Sequence, residues 1–288
     1  MTVKPDDICD KKDTHADEPS AESGGFAADR ALLSTAIAEA GEIARHYFQG
    51  DAKPRYKGPG QIVTEADIAI DRLLHDRLIG SRPGDGWLSE ERDDDGSRST
   101  CRRVWFIDPI DGTRSFAAGI GEFTISAALV IDDAPVIASV YNPITSEHFQ
   151  ALKGNGATLN GKPLVPSVQA SVEGASLLAS SGEMKKRRWP EFMPDAAFTT
   201  IGSLAYKLAL VAAGRYSGLV SLRSCHDWDI AAAALLLEES GAWLGDGEGR
   251  PIRLNQSTLR HGGLVAAGAE PLYNALVSRL ATIVSSER

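Results

Sequence analysis

Along the chain the apolar positions change their spacing twice, and each change marks a new kind of element. Between Ala27 and Gly50 the residues Leu33, Ile37, Ala40, Ala44 and Tyr47 recur at helical spacing and predict an amphipathic helix. A second helix is predicted in TEADIAIDRLLHDRLIG. There Thr64 with Asp67 three residues on has the form of a capping box, Ile70, Leu73, Leu74 and Leu78 supply the apolar stripe, and Gly80 ends it. The period then drops to 2, in short β-rich runs at 87–89, 103–107, 122–131, 135–141 and 148–152. Asp132-Asp133 and the GNG of Gly154 to Gly156 sit where hairpin turns belong, so this stretch predicts an antiparallel meander. Beyond about Gly174, strand candidates at 176–180, 197–201, 218–222 and 264–267 alternate with helices over 203–214, 227–240 and 270–284. That is a second, α/β layer. The expected division is a loose tail over 1–25, an N-terminal α+β half over 26–172 and a C-terminal α/β half over 173–288.

Composition narrows the function without choosing it. Thirty Lys and Arg against 39 Asp and Glu leave a formal net charge of −9, which argues against broad capture of a nucleic acid polymer. No stretch approaches the run of apolar residues that a membrane span needs, so no membrane partner is expected. Cys9, Cys101 and Cys225 are odd in number, widely spaced and in no CxxC or CxxH arrangement. They indicate neither a disulfide framework nor a zinc site, and a reducing cytoplasm is the simplest compartment.

The chemistry concentrates in RRVWFIDPIDGTRSF. An apolar strand delivers Asp108 and Asp111 into a Pro- and Gly-containing turn, beside the backbone amides of Gly112 and Thr113. Such a turn can hold hard cations through oxygen and a phosphate through N–H groups. Asp and Gly are also good turn formers in their own right, so the motif alone decides little. Further carboxylates tip the balance: Glu90 and Glu91 in GWLSEE, and Asp229 in SCHDWDIAAAALLLEESG at the first turn of an apolar helix. Glu91 reads as a solvated surface charge, and Asp227 and Asp229 read equally well as helix caps. Carboxylates from separate regions suit Mg²⁺, which takes oxygen ligands and is completed by water and substrate phosphate. The DxxDGT spacing also differs from the DxDx[TV] of phosphatases that use an aspartate nucleophile.

TEAD with Asp67, SEE with Glu90, DPIDGT from Asp108 to Thr113 and WDIAAAALLLEESG with Asp229 occur together in an order that resembles the inositol monophosphatase superfamily of Mg²⁺-dependent phosphomonoesterases. The resemblance covers about residues 28–287. It implies an α+β fold, a layered αβαβα sandwich with the metals between its halves, commonly assembled as a homodimer and often inhibited by lithium. It further implies two or three Mg²⁺ ions. Glu90, Asp108 and the carbonyl of Ile110 match the tightest metal site; Asp108, Asp111 and Asp229 match the second. Asp67 and Thr113 match the positions that activate water, with Asp67 also near a weaker third metal, and the amides of Gly112 and Thr113 would face the phosphate.

The implied substrate is a small phosphorylated metabolite. Inositol-specific members carry a glutamate shortly before the WD pair, whereas VSLRSCH from Val220 to His226 contains no acid. Arg223 reads either as a surface charge or as a contact to a second phosphate. GDGWLSEERDDD, DPIDGTRSF and SCHDWD look most like bacterial 3'(2'),5'-bisphosphate nucleotidases of the sulfate-assimilation type. Expected is hydrolysis of 3'-phosphoadenosine 5'-phosphate, with inositol 1-phosphate as the alternative, and histidinol phosphate or fructose 1,6-bisphosphate behind them. The basic run from Lys185 to Arg188 reads as a solvated loop.

Overall fold

The computed structural model describes residues 22–50, 54–58, 61–187 and 189–286. Most of the expected tail therefore lies outside the described residues, and its last four positions, 22–25, already belong to the first helix. The elements run α1 (Glu22–Gln49), β1 (Arg55–Gly58), β2 (Gln61–Val63), α2 (Glu65–Ser81), β3 (Gly86–Ser89), β4 (Arg103–Asp111), α3 (Thr113–Ala117), β5 (Thr124–Ile131), β6 (Ala134–Asn142), β7 (Glu147–Leu152), β8 (Ala157–Leu159) and β9 (Lys162–Pro163). They continue with β10 (Ser176–Ala179), α4 (Ser181–Arg187), α5 (Trp189–Phe192), β11 (Ala197–Thr200), α6 (Leu204–Ala212), β12 (Gly218–Ser221), β13 (Cys225–His226), α7 (Asp227–Ser240), β14 (Trp243–Asp246), β15 (Arg260–His261), β16 (Leu264–Ala267) and α8 (Glu270–Ser286).

Two sheets carry the architecture: a seven-stranded one in the order β3 to β9, and a five-stranded one in the order β11-β10-β12-β16-β14. Strand β4 shows how one sequence serves two layers. Its side chains alternate faces, so Trp105 and Ile107 join Leu33 and Ile37 of α1 and Ile70 and Leu74 of α2 in one core. Val104 and Phe106 point the other way, into a second core with Ile230 and Leu235 of α7 and Leu208 of α6. That core also takes Leu178, Leu219 and Ala266 from the near face of the five-stranded sheet, while Leu177, Val220 and Val265 on its far face meet Leu272, Leu276 and Leu280 of α8. The result is an α+β fold of five layers, αβαβα. With both faces covered, the central strands are apolar on both sides, which is why runs such as VWFI and TISAALVI lack polar alternation.

The turns at Asp132-Asp133 and Gly154 to Gly156 form where expected, each with a positive φ. Three features differ from the sequence reading. Strand β3 pairs with β4 in parallel rather than extending an antiparallel meander. Strand β4 does not stop at Ile107 but runs on through Asp111, because one extra residue between Asp108 and Asp111 is absorbed as a bulge: Asp108 faces Ser126 and Asp111 faces Thr124. A bulge is one of the few places in a sheet where Pro109 is tolerated. Finally, Cys101 is disulfide-bonded, since an odd count excludes complete pairing but not a single bridge, whereas Cys225 is a buried free thiol.

Candidate active site

The parallel pairing of β3 and β4 is the first step in building the site. Ser89 stands beside Ile107, and the N–H of Glu90 donates to the Ile107 carbonyl at 3.2 Å, so Glu90 leaves its strand level with Asp108. The buried Asp71 of α2 steadies this exit by accepting from Ser89 Oγ and from Arg92 Nε, both at 2.6 Å. The bulge then turns Asp111 toward the start of α6, where its Oδ2 accepts from Ser203 Oγ and from the N–H of Ala205, each at 2.5 Å. Bulges commonly serve to re-aim a side chain in this way.

Gly112 follows at φ +99°, where a Cβ would lie 2.9 Å from the Glu122 carbonyl. Only glycine fits so close a left-handed approach. The next residue, Thr113, places its hydroxyl 2.9 Å from the Ile110 carbonyl and 3.2 Å from Asp67 Oδ1. Asp67 is the third residue of α2, and its Oδ2 accepts from the N–H of Thr64 at 2.8 Å and from Thr64 Oγ1 at 2.6 Å. Asp229 occupies the same position in α7, accepting the N–H of His226 at 2.6 Å. Both acids therefore close their helix starts and present a second oxygen inward.

Glu90, Asp108 and Asp229 each bring one carboxylate oxygen within 4.8 Å of the others. Asp108 is buried, and its Oδ1 has no hydrogen-bond partner among the described residues. Burial first, and then the charge of Glu90, hold the Asp108 carboxyl well above the usual carboxylate range. Burial also raises Asp111 and Asp67, and together with the Asp111 charge it lifts Asp229 to about 7. Carboxylate oxygens gathered this closely, with one of them buried and raised by the charges of its neighbours, fit a hard divalent cation, which supplies what burial withholds. The cleft that opens on the cluster measures about 490 Å³ and is lined by Glu90, Asp108, Asp111, Thr113, Asp229 and Arg223, among others. A wider cleft of about 770 Å³ lies between α1, α2 and the β1–β2 hairpin, where the described residues bring together no such group of acids.

Glu90, Asp108, Ile110, Asp111, Gly112, Thr113, Arg223 and Asp229 line one cleft, and Asp67 borders it through Thr113; among the described residues, Glu90, Asp108 and Asp229 form the group of acids that could hold a metal ion. Asp227 departs from its reading as a cap. It is fully buried, with Oδ1 2.6 Å from His261 Nε2 and Oδ2 accepting the N–H of Asn255 at 2.7 Å, and so pins the start of α7 to the chain before β16. Lys185 and Lys186 are exposed on α4, which forms where a loop was expected, and the neighbouring Trp189 is core. Sequence reasoning passed over Ser203 and Ala205, the partners of Asp111. The signal available for them was a Ser just before the apolar run of α6, the usual mark of a helix start.

The inositol monophosphatase family model matches residues 29–285. An inositol-1-monophosphatase of Rhizobium meliloti (strain 1021) is 32% identical over 257 residues, covering 85% of this chain and 93% of that protein. The Nus factor SuhB of Escherichia coli (strain K12) is 33% identical over 215 residues, 71% of this chain and 79% of its own. Among solved structures, an IMPase of Thermotoga maritima superposes with a TM-score of 0.79 at 26% identity, covering 90% of this chain and 99% of that one. The layered sandwich, the acid cluster at its centre and these similarities agree: the chain belongs to the inositol monophosphatase family of phosphoric monoester hydrolases.

Proposed function

We propose that this protein is a Mg²⁺-dependent phosphomonoesterase in which water, not a side chain, attacks the phosphorus of a small phosphorylated metabolite. The observation that carries the reading is the convergence of Glu90, Asp108 and Asp229 around an Asp108 oxygen that no donor among the described residues satisfies. Glu90, Asp108, the Ile110 carbonyl, Asp111 and Asp229 would hold the metal. When bound, Mg²⁺ supplies charge neutralisation at the phosphate and makes water more acidic. The chain's own residues do the rest. Thr113 Oγ1, poised between Asp67 Oδ1 and the Ile110 carbonyl, orients the attacking water, and Asp67 receives its proton. The amides of Gly112 and Thr113 hold the phosphate oxygens. Ser203 and Ala205 keep Asp111 turned inward.

For the substrate we favour a 3'(2'),5'-bisphosphate nucleotide. Arg223 shares the cleft with the acids and can meet a second phosphate, and no carboxylate stands between Val220 and His226 to read a sugar hydroxyl. Inositol 1-phosphate is the second reading, favoured by relatives that bear the name inositol-1-monophosphatase. Phosphate release from both esters, with and without EDTA, tests the proposal. Activity should vanish on chelation and return with Mg²⁺, and undiminished turnover in verified metal-free protein would refute it. The ratio of kcat/KM for the two esters decides between the substrates.

A further inference from the structure

Glu183 is a carboxylate that the chemistry above does not use, and it is only 3% exposed. It stands in the first turn of α4, directly behind the cleft wall made by Ser180, Ser181 and Gly182. Its Oε1 accepts the N–H of Leu222 at 2.6 Å, and its Oε2 accepts from Ser221 Oγ and from Ser180 Oγ, both at 2.9 Å. Ser221 Oγ in turn accepts the N–H of Arg223 at 3.2 Å. These bonds join two strand ends. Strands β10 and β12 lie parallel and adjacent, and Glu183 ties them where β10 runs into Ser180 and β12 into Leu222 and Arg223.

A buried carboxylate at such a joint is costly unless its oxygens are well supplied with donors, and here three donors converge on it. Lys207 of α6, 4% exposed, adds a buried ammonium attracted by the charges of both Asp111 and Glu183. The arrangement spends a desolvated charge on the alignment of two chain segments that both reach the cleft, one at Ser180 and the other at Arg223.

We infer that Glu183 is a positioning residue for substrate recognition: by holding Ser180, Ser221 and Leu222 together it fixes the wall from which Arg223 meets the part of the substrate beyond the cleaved phosphate. The inference rests on the phosphomonoesterase reading above. Its consequence is that Glu183 governs the affinity for large substrates and leaves bond cleavage alone, since none of its bonds reaches Glu90, Asp108 or Thr113.

The test compares Glu183→Gln and Ser221→Ala with the wild-type protein on three esters: 3'-phosphoadenosine 5'-phosphate, inositol 1-phosphate and p-nitrophenyl phosphate, whose leaving group offers Arg223 no second phosphate. For the preferred metabolite, Glu183→Gln should raise KM about tenfold, the scale of one hydrogen bond to a charged group, with kcat within about twofold. Ser221→Ala should shift KM in the same direction by less. Neither should alter p-nitrophenyl phosphate turnover. Equal loss of kcat on every ester would overturn the inference, as would an unchanged KM in both variants. If Glu183→Gln does not fold, the Ser221→Ala result alone decides. A wild-type protein inert to all three esters would instead overturn the phosphatase reading, and the inference with it.

Discussion

The two walls of the cleft hold their charges in opposite ways. On the side of the seven-stranded sheet, Asp67, Asp108 and Asp111 are buried, and each is set by backbone that the fold dictates: a helix start, a strand, a bulge. On the side of the five-stranded sheet, Arg223 is exposed, and its backbone N–H bonds Ser221, which in turn bonds Glu183. On the function proposed above, the contrast separates chemistry from recognition. Crowded carboxylates in a low dielectric resist ionisation, so a cation that lets them ionise is bound with a large share of the energy the fold has withheld. An exposed guanidinium is already satisfied by water, and its contact with substrate adds only a modest increment.

The largest effect should come from the buried wall. Asp108→Asn should lower kcat/KM by on the order of 10³ in a phosphate-release assay, because it replaces a central anion with a neutral amide of similar volume. The melting temperature in EDTA should hold or rise, since the substitution also removes a charge from among Glu90, Asp111 and Asp229. A collapse of the fold would instead make Asp108 a structural residue. Next in size, Thr113→Ala should cut kcat by roughly 10² while moving KM much less, as a water-orienting hydroxyl acts mainly in the transition state. A change confined to KM would move Thr113 from the first wall's role to the second's.

From the exposed wall, Arg223→Ala should reduce the preference for a bisphosphate nucleotide over inositol 1-phosphate by about 1 to 3 kcal/mol in the ratio of kcat/KM, toward the lower end given its exposure. A loss as large as that of Asp108→Asn would erase the distinction between the walls. The smallest effect is thermodynamic. Asp229 titrates near 7 in the folded chain, above the ordinary Asp value of 3.8. Between those values the folded state binds more protons than the unfolded one, so stability falls as pH rises. The melting temperature in EDTA should accordingly be higher at about pH 5.5 than at about pH 8, and saturating Mg²⁺ should flatten or reverse the trend. A metal-free melting temperature that climbs across that range would contradict the crowding of the acids.

The buried wall is also the part that was legible beforehand. A strand ending in two acids, a helix opening with Thr64 and Asp67, and another opening with Asp229 all leave local traces, because caps and turns restrict residue type at fixed offsets. What stayed hidden was pairing. The period-2 pattern of GWLS does not record whether β3 runs parallel or antiparallel to β4, although that direction decides where Glu90 emerges. The bulge at Pro109 and Ile110 was equally silent, since the proline suggested only that the strand had ended. Glu183 lies in SGEMKKR, where nothing marks one acid among lysines as buried, and the two strand ends it joins are far apart in sequence. The β1–β2 hairpin, by contrast, was announced by a Gly-Pro-Gly between short β-rich runs and could have been read.

Helix α7 has a mechanical consequence. Its 14 residues span about 21 Å between the sheets, with Asp229 and Asp227 anchoring the end at the cleft. At the far end Glu239 accepts the N–H groups of Gly154 at 2.8 Å and Gly156 at 2.7 Å, and Glu238 pairs with Lys153 in the same hairpin turn of β7 and β8. A rod clamped at both ends transmits displacement along its axis, because the packed core around it leaves no room to buckle. A change in the length or sequence of that hairpin therefore bears directly on the helix whose opposite end carries Asp229.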